Sequence, residues 1–126
     1  MLTFGATLEH VAVGEAHIAM AVREDLTQQH GYTHAGVIAT IADSACGYAA
    51  LSVMPEDAAV LSIEFKINML APAEGDRLIA RGRVVKPGRT IVVCVAEVFA
   101  ERDGAEKLVA TMTGTMMVVK DRGLVD

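Results

Sequence analysis

The chain has little of what nucleic-acid-binding proteins need. It contains no Trp, and its aromatic residues make up 4% of 126 residues, so single-stranded bases would find few rings on which to stack. Acidic residues outnumber basic ones by 16 to 11, for a net charge of −5 at pH 7. Such a chain has no overall positive field to attract phosphates. We therefore expect no nucleic-acid partner.

Cysteine is also scarce. Cys46 and Cys94 lie far apart in apolar stretches and lack the C-x-x-C spacing of a zinc or redox site, so we expect two buried, reduced thiols. His30 and His34 have the i, i+4 spacing of metal ligands on a helix, but Gly31 separates His30 from the predicted helix. We expect neither a metal nor another cofactor.

One apolar stretch, residues 33–54, is long enough to raise the question of a membrane span. Asp43 lies near its middle, and a central Asp costs about 2.5 to 3.5 kcal/mol on membrane insertion. An enclosed helix of a soluble protein explains the stretch better. Residues 1–21 have no basic segment followed by an apolar block, as a signal peptide would. We expect a cytoplasmic protein with no membrane partner.

The order of elements follows from the hydrophobic pattern. With 52% hydrophobic residues and 3 Pro, the chain is long enough for one packed domain over residues 1–126. The Thr33 hydroxyl is a candidate N-cap and Pro55 a stop for a helix over 33–54. We predict an α+β fold in which a curved antiparallel sheet of about six strands wraps around one long central helix. The predicted strands are two within 8–22, broken at Gly14, and four at 61–69, 77–86, 90–101 and 107–119.

The predicted helix has a small-residue face and a bulky face. The bulky face would pack on the sheet, and the small face would let a second subunit come close. We therefore predict a homo-oligomer, a dimer or a dimer of dimers. The small face comprises Gly36, Ala39, Thr40, Asp43, Cys46, Gly47 and Ala50, and the bulky face Val37, Ile38, Ile41, Ala45, Tyr48 and Ala49.

Asp43 is the only formally charged residue between positions 33 and 54. A buried carboxylate needs a polar partner, which we expect to be water, substrate or a group from another chain. Asp43 is then either a structural hydrogen-bonding group at a subunit contact or a general base or nucleophile.

The predicted helix begins at His34-Ala35-Gly36, where unpaired amides and the helix dipole would favour an oxyanion. His34 alone could equally be a capping or packing residue. His34 and Asp43 are nine residues apart, about 13 Å along a helix, so one chain cannot bring both to one carbonyl. Two antiparallel helices related by a two-fold axis would form composite sites.

At this point the sequence resembles the hotdog-fold acyl-CoA thioesterases of the phenylacetic-acid-pathway type, over residues 8–119. The resemblance implies hydrolysis of an acyl-CoA thioester to free acid and CoA. Asp43 would activate water or attack the thioester, the Ala35 amide would polarise the carbonyl, and Gln28 would orient water or substrate. Ser62 lies where some members carry a water-orienting hydroxyl. The residues that carry the resemblance are Gln28, Gly31, His34-Ala35-Gly36, Asp43, the strand through Ser62, and Leu70-Ala71-Pro72-Ala73.

One position departs from the family. Members usually have His-Gly-Gly, whereas this chain has Ala35, whose methyl group narrows the approach to the amide, and Gly36 remains on the substrate-binding side. A non-catalytic acyl-CoA-binding module is therefore an alternative. A hotdog enoyl-CoA hydratase is another, because Asp25 and His30 share the spacing of that family's Asp/His pair, although the family's Asn-Pro between them is absent.

Basic residues cluster on one predicted strand and the turn after it. They form either a solvated face with ion pairs or a phosphate site for coenzyme A. The resemblance favours Arg83 and Arg89, with Lys86 between them, as phosphate contacts. The full cluster is Arg77, Arg81, Arg83, Lys86 and Arg89.

Overall fold

A computed structural model describes residues 4–28 and 31–120. Helix α1, Ala35–Leu51, packs against a six-stranded antiparallel sheet, which confirms the predicted α+β architecture. The connection through α1 places β3 at the far edge of the sheet, so the order is β1-β2-β4-β5-β6-β3. The strands are β1 Thr7–Ala12, β2 Glu15–Ala21, β3 Ala58–Met69, β4 Arg77–Lys86, β5 Ile91–Arg102 and β6 Ala105–Lys120, and a short 3₁₀ turn spans Glu24–Leu26.

The core lies between α1 and one face of the sheet. Ile38 and Ile41 of the helix are fully buried, as are Leu78 on β4 and Val92 on β5. Fully burying a side chain of this size contributes roughly 1.5 to 3 kcal/mol, so the sheet contacts stabilise α1. Cys46 and Cys94 are both buried and free, as predicted. A hydrogen bond with Cys94, together with burial, raises the pKa of the Cys46 thiol far above its ordinary value.

The predicted helix ends need correction. His34, not Thr33, is the N-cap, and its side chain makes no capping hydrogen bond. Thr33 forms a β-bridge with Thr27, which leaves it in the preceding segment. The helix ends at Leu51 rather than at Met54.

Ser52 marks the true end of the helix. Its hydroxyl donates to the Ala49 carbonyl at 2.6 Å and accepts from the Gly14 amide at 2.7 Å. The amide bond ties the helix end to the turn between β1 and β2, a long-range contact that local sequence does not reveal.

The predicted faces of the helix are right for most positions and wrong for three. Tyr48, assigned to the buried face, is 39% exposed, whereas Cys46 and Ala50, assigned to the small face, are fully buried. At 100° per residue, Tyr48 follows Ser44 by one turn on the side away from the sheet. The uncovered face of α1 is therefore less uniformly small than predicted.

A β-bulge interrupts the alternation predicted for β3. Ser62 pairs with Met116 and Phe65 pairs with Gly114, and the register shifts between Ser62 and Glu64. Ile63 is therefore an extra residue on β3. Because Met116 and Gly114 are buried on the helix side, the bulge turns Ser62 toward α1 while keeping Phe65 on the same face.

Among the residues that the structure describes, no helix is both long and apolar enough to cross a bilayer. The stretch over residues 33–54 is divided between α1 and a turn.

Candidate active site

Asp43 lies midway along α1, half-buried, on the side of the helix that the sheet leaves uncovered. The Ser62 hydroxyl donates a hydrogen bond of 2.9 Å to Asp43 Oδ1. One polar partner of this carboxylate thus comes from its own chain, an alternative that the expectation of water, substrate or another chain did not include. A cleft of about 320 Å³ surrounds the pair and is lined by Asp43, Ser44, Gly47, Tyr48, Leu51, Val60, Ser62 and Met116.

The second carboxylate oxygen of Asp43 is free within the described chain. Residues 4–28 and 31–120 provide no hydrogen bond to Oδ2. Ser62 therefore fixes one oxygen and leaves the other unbonded in a residue that lines the cleft, which suits a general base or a nucleophile.

The start of α1 supplies unpaired amides. The Val37 and Ile38 amides donate to the His34 carbonyl at 3.0 and 3.3 Å, and the His34 amide donates to Leu26. In the described parts of the chain, the Ala35 and Gly36 amides have no acceptor. Two adjacent N–H groups at the positive end of a helix can bind a carbonyl oxygen as it gains charge.

Gln28 lies at the same end of the helix as Ala35. Its backbone amide donates to the Tyr32 backbone carbonyl at 2.7 Å, and its backbone carbonyl accepts from the Gly31 amide at 2.8 Å. Gly31 has a φ of +85°, which glycine adopts without strain. These bonds position Gln28 beside a second cleft, which is lined by Gln28, Tyr32, Thr33, Ala35, Ile38, Met69, Leu70, Ala71, Pro72 and Ala73.

The two clefts share no residue. Asp43 and Ser62 line one cleft, and Gln28 and Ala35 line the other. This agrees with the separation of Ala35 and Asp43 along α1, which are eight residues apart on the helix. Within one chain the candidate base and the candidate oxyanion amides therefore do not meet.

The basic cluster divides into two groups. Arg77 forms two hydrogen bonds with Glu9, and Arg81 forms two with Glu106, at 2.8 and 2.7 Å. The bond from Arg81 lowers the pKa of the Glu106 carboxyl. These two arginines therefore form ion pairs on the outer face of the sheet, which is the structural alternative predicted for the cluster.

The other basic residues remain available. Arg83, Lys86 and Arg89 are exposed, and none forms an ion pair within the described residues. Arg83 lies on the outer face of β4, whereas Lys86 and Arg89 lie where β4 turns into β5. The three are not part of either cleft.

The pair predicted for a hydratase is only partly described. Asp25 accepts hydrogen bonds from the Arg23 guanidinium at 2.6 and 3.1 Å. His30 lies outside the described residues, and so does the i, i+4 pair of candidate metal ligands that it would form with His34. Asp25 lines neither of the two clefts.

Two residues that line the clefts were assigned other roles from the sequence. Tyr48 was placed in the core but borders the Asp43 cleft, and Thr33 was assigned a capping role but lines the Gln28 cleft. The Thr33 hydroxyl is buried and, within the described residues, without a hydrogen-bond partner. The i, i+4 relation of Tyr48 to Ser44 is the signal that could have identified it.

Comparison with known proteins identifies the family. The family model of the thioesterase superfamily matches residues 30–107, more than half of the chain. The chain belongs to the thioesterase superfamily, and its helix and six-stranded sheet form the hotdog fold of that superfamily. This confirms the family predicted from the sequence.

Particular relatives cover nearly the whole chain. A crystal structure of a thioesterase family protein from Silicibacter pomeroyi is 52% identical, with a TM-score of 0.93 over 95% of this chain and 88% of that one. A mutant of the phenylacetic acid degradation protein PaaI from Thermus thermophilus is 31% identical, with a TM-score of 0.79 over 93% and 96%. The 1,4-dihydroxy-2-naphthoyl-CoA hydrolase of Listeria monocytogenes is 28% identical over 95% of each chain. The protein is therefore a hydrolase of the thioesterase family.

Proposed function

We propose that residues 1–126 act as one domain that hydrolyses an acyl-CoA thioester to the free acid and CoA. The observation that carries the proposal is Asp43, half-buried in a cleft and held by Ser62 at 2.9 Å, with one carboxylate oxygen unbonded among the described residues. The Listeria relative is named as an acyl-CoA hydrolase, which supports CoA as the leaving group.

The proposed chemistry assigns one role to the middle of α1 and another to its N-terminal end. Asp43 removes a proton from a water that attacks the thioester carbonyl, or its carboxylate attacks the carbonyl itself. The amides of Ala35 and Gly36 stabilise the oxyanion that forms, and Gln28 and the exposed His34 orient substrate or water. The C–S bond then breaks, and the CoA thiolate takes up the proton that Asp43 removed from water. In the direct-attack route, breaking of the C–S bond leaves a mixed anhydride on Asp43, and a water molecule hydrolyses it to the free acid, restores the Asp43 carboxylate and supplies the proton for the thiolate.

A complete site needs two chains, because the clefts of Asp43 and Ala35 are separate. In a two-fold dimer with antiparallel helices, the amide end of one α1 approaches Asp43 of the other. Each dimer then holds two composite sites.

The phosphates of CoA require cations that are not already paired. Arg83, Lys86 and Arg89 meet this condition among the described residues, whereas Arg77 and Arg81 are held by glutamates. We assign the first three residues to phosphate binding, since charge-assisted bonds to phosphate are strong.

The test is Asp43→Asn, which keeps the size of the side chain and removes its charge. Loss of a general base lowers kcat by roughly 10² to 10⁴, measured as thiol release over a panel of aromatic and aliphatic acyl-CoAs. Asp57→Asn is the matched control, because Asp57 is exposed and its one ion pair among the described residues is with Lys120, at 3.7 Å. Wild-type turnover in Asp43→Asn would refute the mechanism, and thioester binding without hydrolysis by the wild type would favour a binding module.

The two roles of Asp43 differ in where oxygen goes. In a single turnover in ¹⁸O-water, activation of water leaves the Asp43 carboxylate unlabelled, whereas direct attack labels it when water hydrolyses the anhydride at the Asp43 carbon. Mass spectrometry of the peptide that contains Asp43 detects this label, and ¹⁸O in Asp43 demonstrates direct attack.

A further inference from the structure

Three metal-ligating side chains meet on the outer face of the sheet, opposite α1. His10 on β1 pairs directly with His17 on β2, and their ring centroids are 4.6 Å apart. Glu15 lies two residues before His17, on the same face of β2. His10 Nε2 and Glu15 Oε1 are 2.8 Å apart, and one donor atom from each of the three residues lies within 4.8 Å of the others.

The spacing suits a small divalent ion. Zinc binds imidazole nitrogen and carboxylate oxygen at about 2.0 to 2.2 Å, so ligand atoms around a tetrahedral ion are about 3.3 Å apart. His10 and Glu15 have exposed side chains, 43% and 48% accessible, so small rotations bring their donor atoms to this distance around the more buried His17. His10 must then carry its proton on Nδ1, which leaves Nε2 free to bind the metal.

The surrounding charges permit a cation at this position. Arg81 lies opposite His17 in the ladder, but Glu106 holds its guanidinium with two hydrogen bonds over the Phe99 ring. Glu106 therefore offsets part of the Arg81 charge. Glu15 supplies the negative charge that the site itself needs.

We propose that His10, Glu15 and His17 form a binding site for zinc or a similar divalent transition-metal ion. Two imidazoles and one carboxylate supply three ligands, and water completes a tetrahedron. Because the ligands come from both strands of one hairpin, the ion would connect β1 to β2 on the face away from the hydrolytic clefts. All three ligands belong to one chain, so the site does not depend on a second subunit.

The experiment is a calorimetric titration of the full chain with zinc chloride, with no acyl-CoA present. We expect one zinc per chain in the wild type and a more than tenfold weaker affinity in His10→Ala, Glu15→Gln and His17→Ala, a loss of at least 1.4 kcal/mol. His34→Ala is the control for the loss of a histidine, and its zinc affinity should be unchanged. Zinc should also raise the Tm of the wild type but not of His10→Ala, because only a ligand-binding native state gains stability from the ligand.

Two results would overturn the proposal: no zinc binding by the wild type, or equal binding by His10→Ala. His10 is exposed on an edge strand, so we expect His10→Ala to fold, and a far-ultraviolet circular dichroism spectrum verifies this. The outcome is independent of hydrolysis, since Asp43 and the amides of α1 lie on the other side of the sheet.

Discussion

At the scale of single residues, the candidate site depends on the contact between Asp43 and Ser62. Asp43 could be found from the sequence because a lone charge in an apolar helix is conspicuous. Ser62 could be suggested only by resemblance, since a serine in an alternating strand is usually just exposed. The bulge at Ile63 decides that Ser62 faces the helix, and no local pattern predicts the bulge.

The first prediction concerns this contact. Ser62→Ala removes the hydrogen bond that fixes Asp43 Oδ1, so we expect kcat for acyl-CoA hydrolysis to fall by about tenfold, equivalent to roughly 1.4 kcal/mol, with KM little changed. Ser62→Thr keeps a hydroxyl and should restore much of the rate.

Thr115→Ala is the matched control for Ser62→Ala. The Thr115 hydroxyl donates to Glu64 Oε1 at 2.7 Å across the same pair of strands, away from Asp43. Loss of the Thr115 hydroxyl should leave kcat within about twofold of the wild-type value, equivalent to roughly 0.4 kcal/mol in activation free energy. An unchanged kcat in Ser62→Ala would show that Ser62 does not position Asp43.

At the scale of elements, the type and order of every strand and of the helix could be predicted from periodicity, Pro and Gly. The run predicted for residues 77–86 agrees fully with β4, because turn residues bound it on both sides. The helix ends were less well predicted. They depend on Ser52 reaching Gly14 and on Thr33 pairing with Thr27, and both contacts join distant or irregular segments.

The second prediction concerns the packing of α1 on β4. A Cβ atom at Gly82 would lie 2.7 Å from both the carbonyl carbon and the oxygen of Ala45. Backbone atoms of a helix cannot move aside cheaply, so we expect Gly82→Ala to lower the free energy of unfolding by about 1 to 3 kcal/mol, the usual cost of overpacking. Urea unfolding measures it.

Arg83→Ala is the control for this stability measurement. Arg83 follows Gly82 on β4, so its side chain points to the opposite face of the sheet, where it is exposed. Its effect on the free energy of unfolding should stay within about 0.5 kcal/mol. A Gly82→Ala protein as stable as the control would mean that α1 does not lie as close to β4 as described.

At the scale of the whole molecule, two uncovered surfaces support the proposed dimer. Strand β3 is an edge strand, paired only with β6 within the described sheet. Leu61, Ile63 and Phe65 on it are 45 to 48% exposed. An exposed apolar edge strand is prone to pairing with another chain, and the adjacent uncovered face of α1 carries Asp43.

The third prediction follows from that surface. In sedimentation velocity we expect the wild type to run as a dimer or a dimer of dimers of the 13.3 kDa chain. Ile63→Lys, which places a charge on the edge, should weaken the dimer by more than tenfold and lower hydrolysis in proportion to the monomer formed.

Val85→Lys is the matched control for that substitution. Val85 is equally exposed, at 53%, but lies at the end of β4, away from β3, so its dimer should persist. A wild type that sediments as a fully active monomer would contradict both the dimer and the composite site.

The segments that are helix and strand, the α+β class, and the one acid in an apolar helix could all be predicted from the sequence, because these depend on spacing along the chain. The rise per residue of a helix also separates Asp43 from the amides at the start of α1. The fold was needed to show which hydroxyl meets that acid and that His10, Glu15 and His17 converge. Those contacts depend on strand register and, for Ser62, on a single bulge, which the periodicity of one segment does not specify.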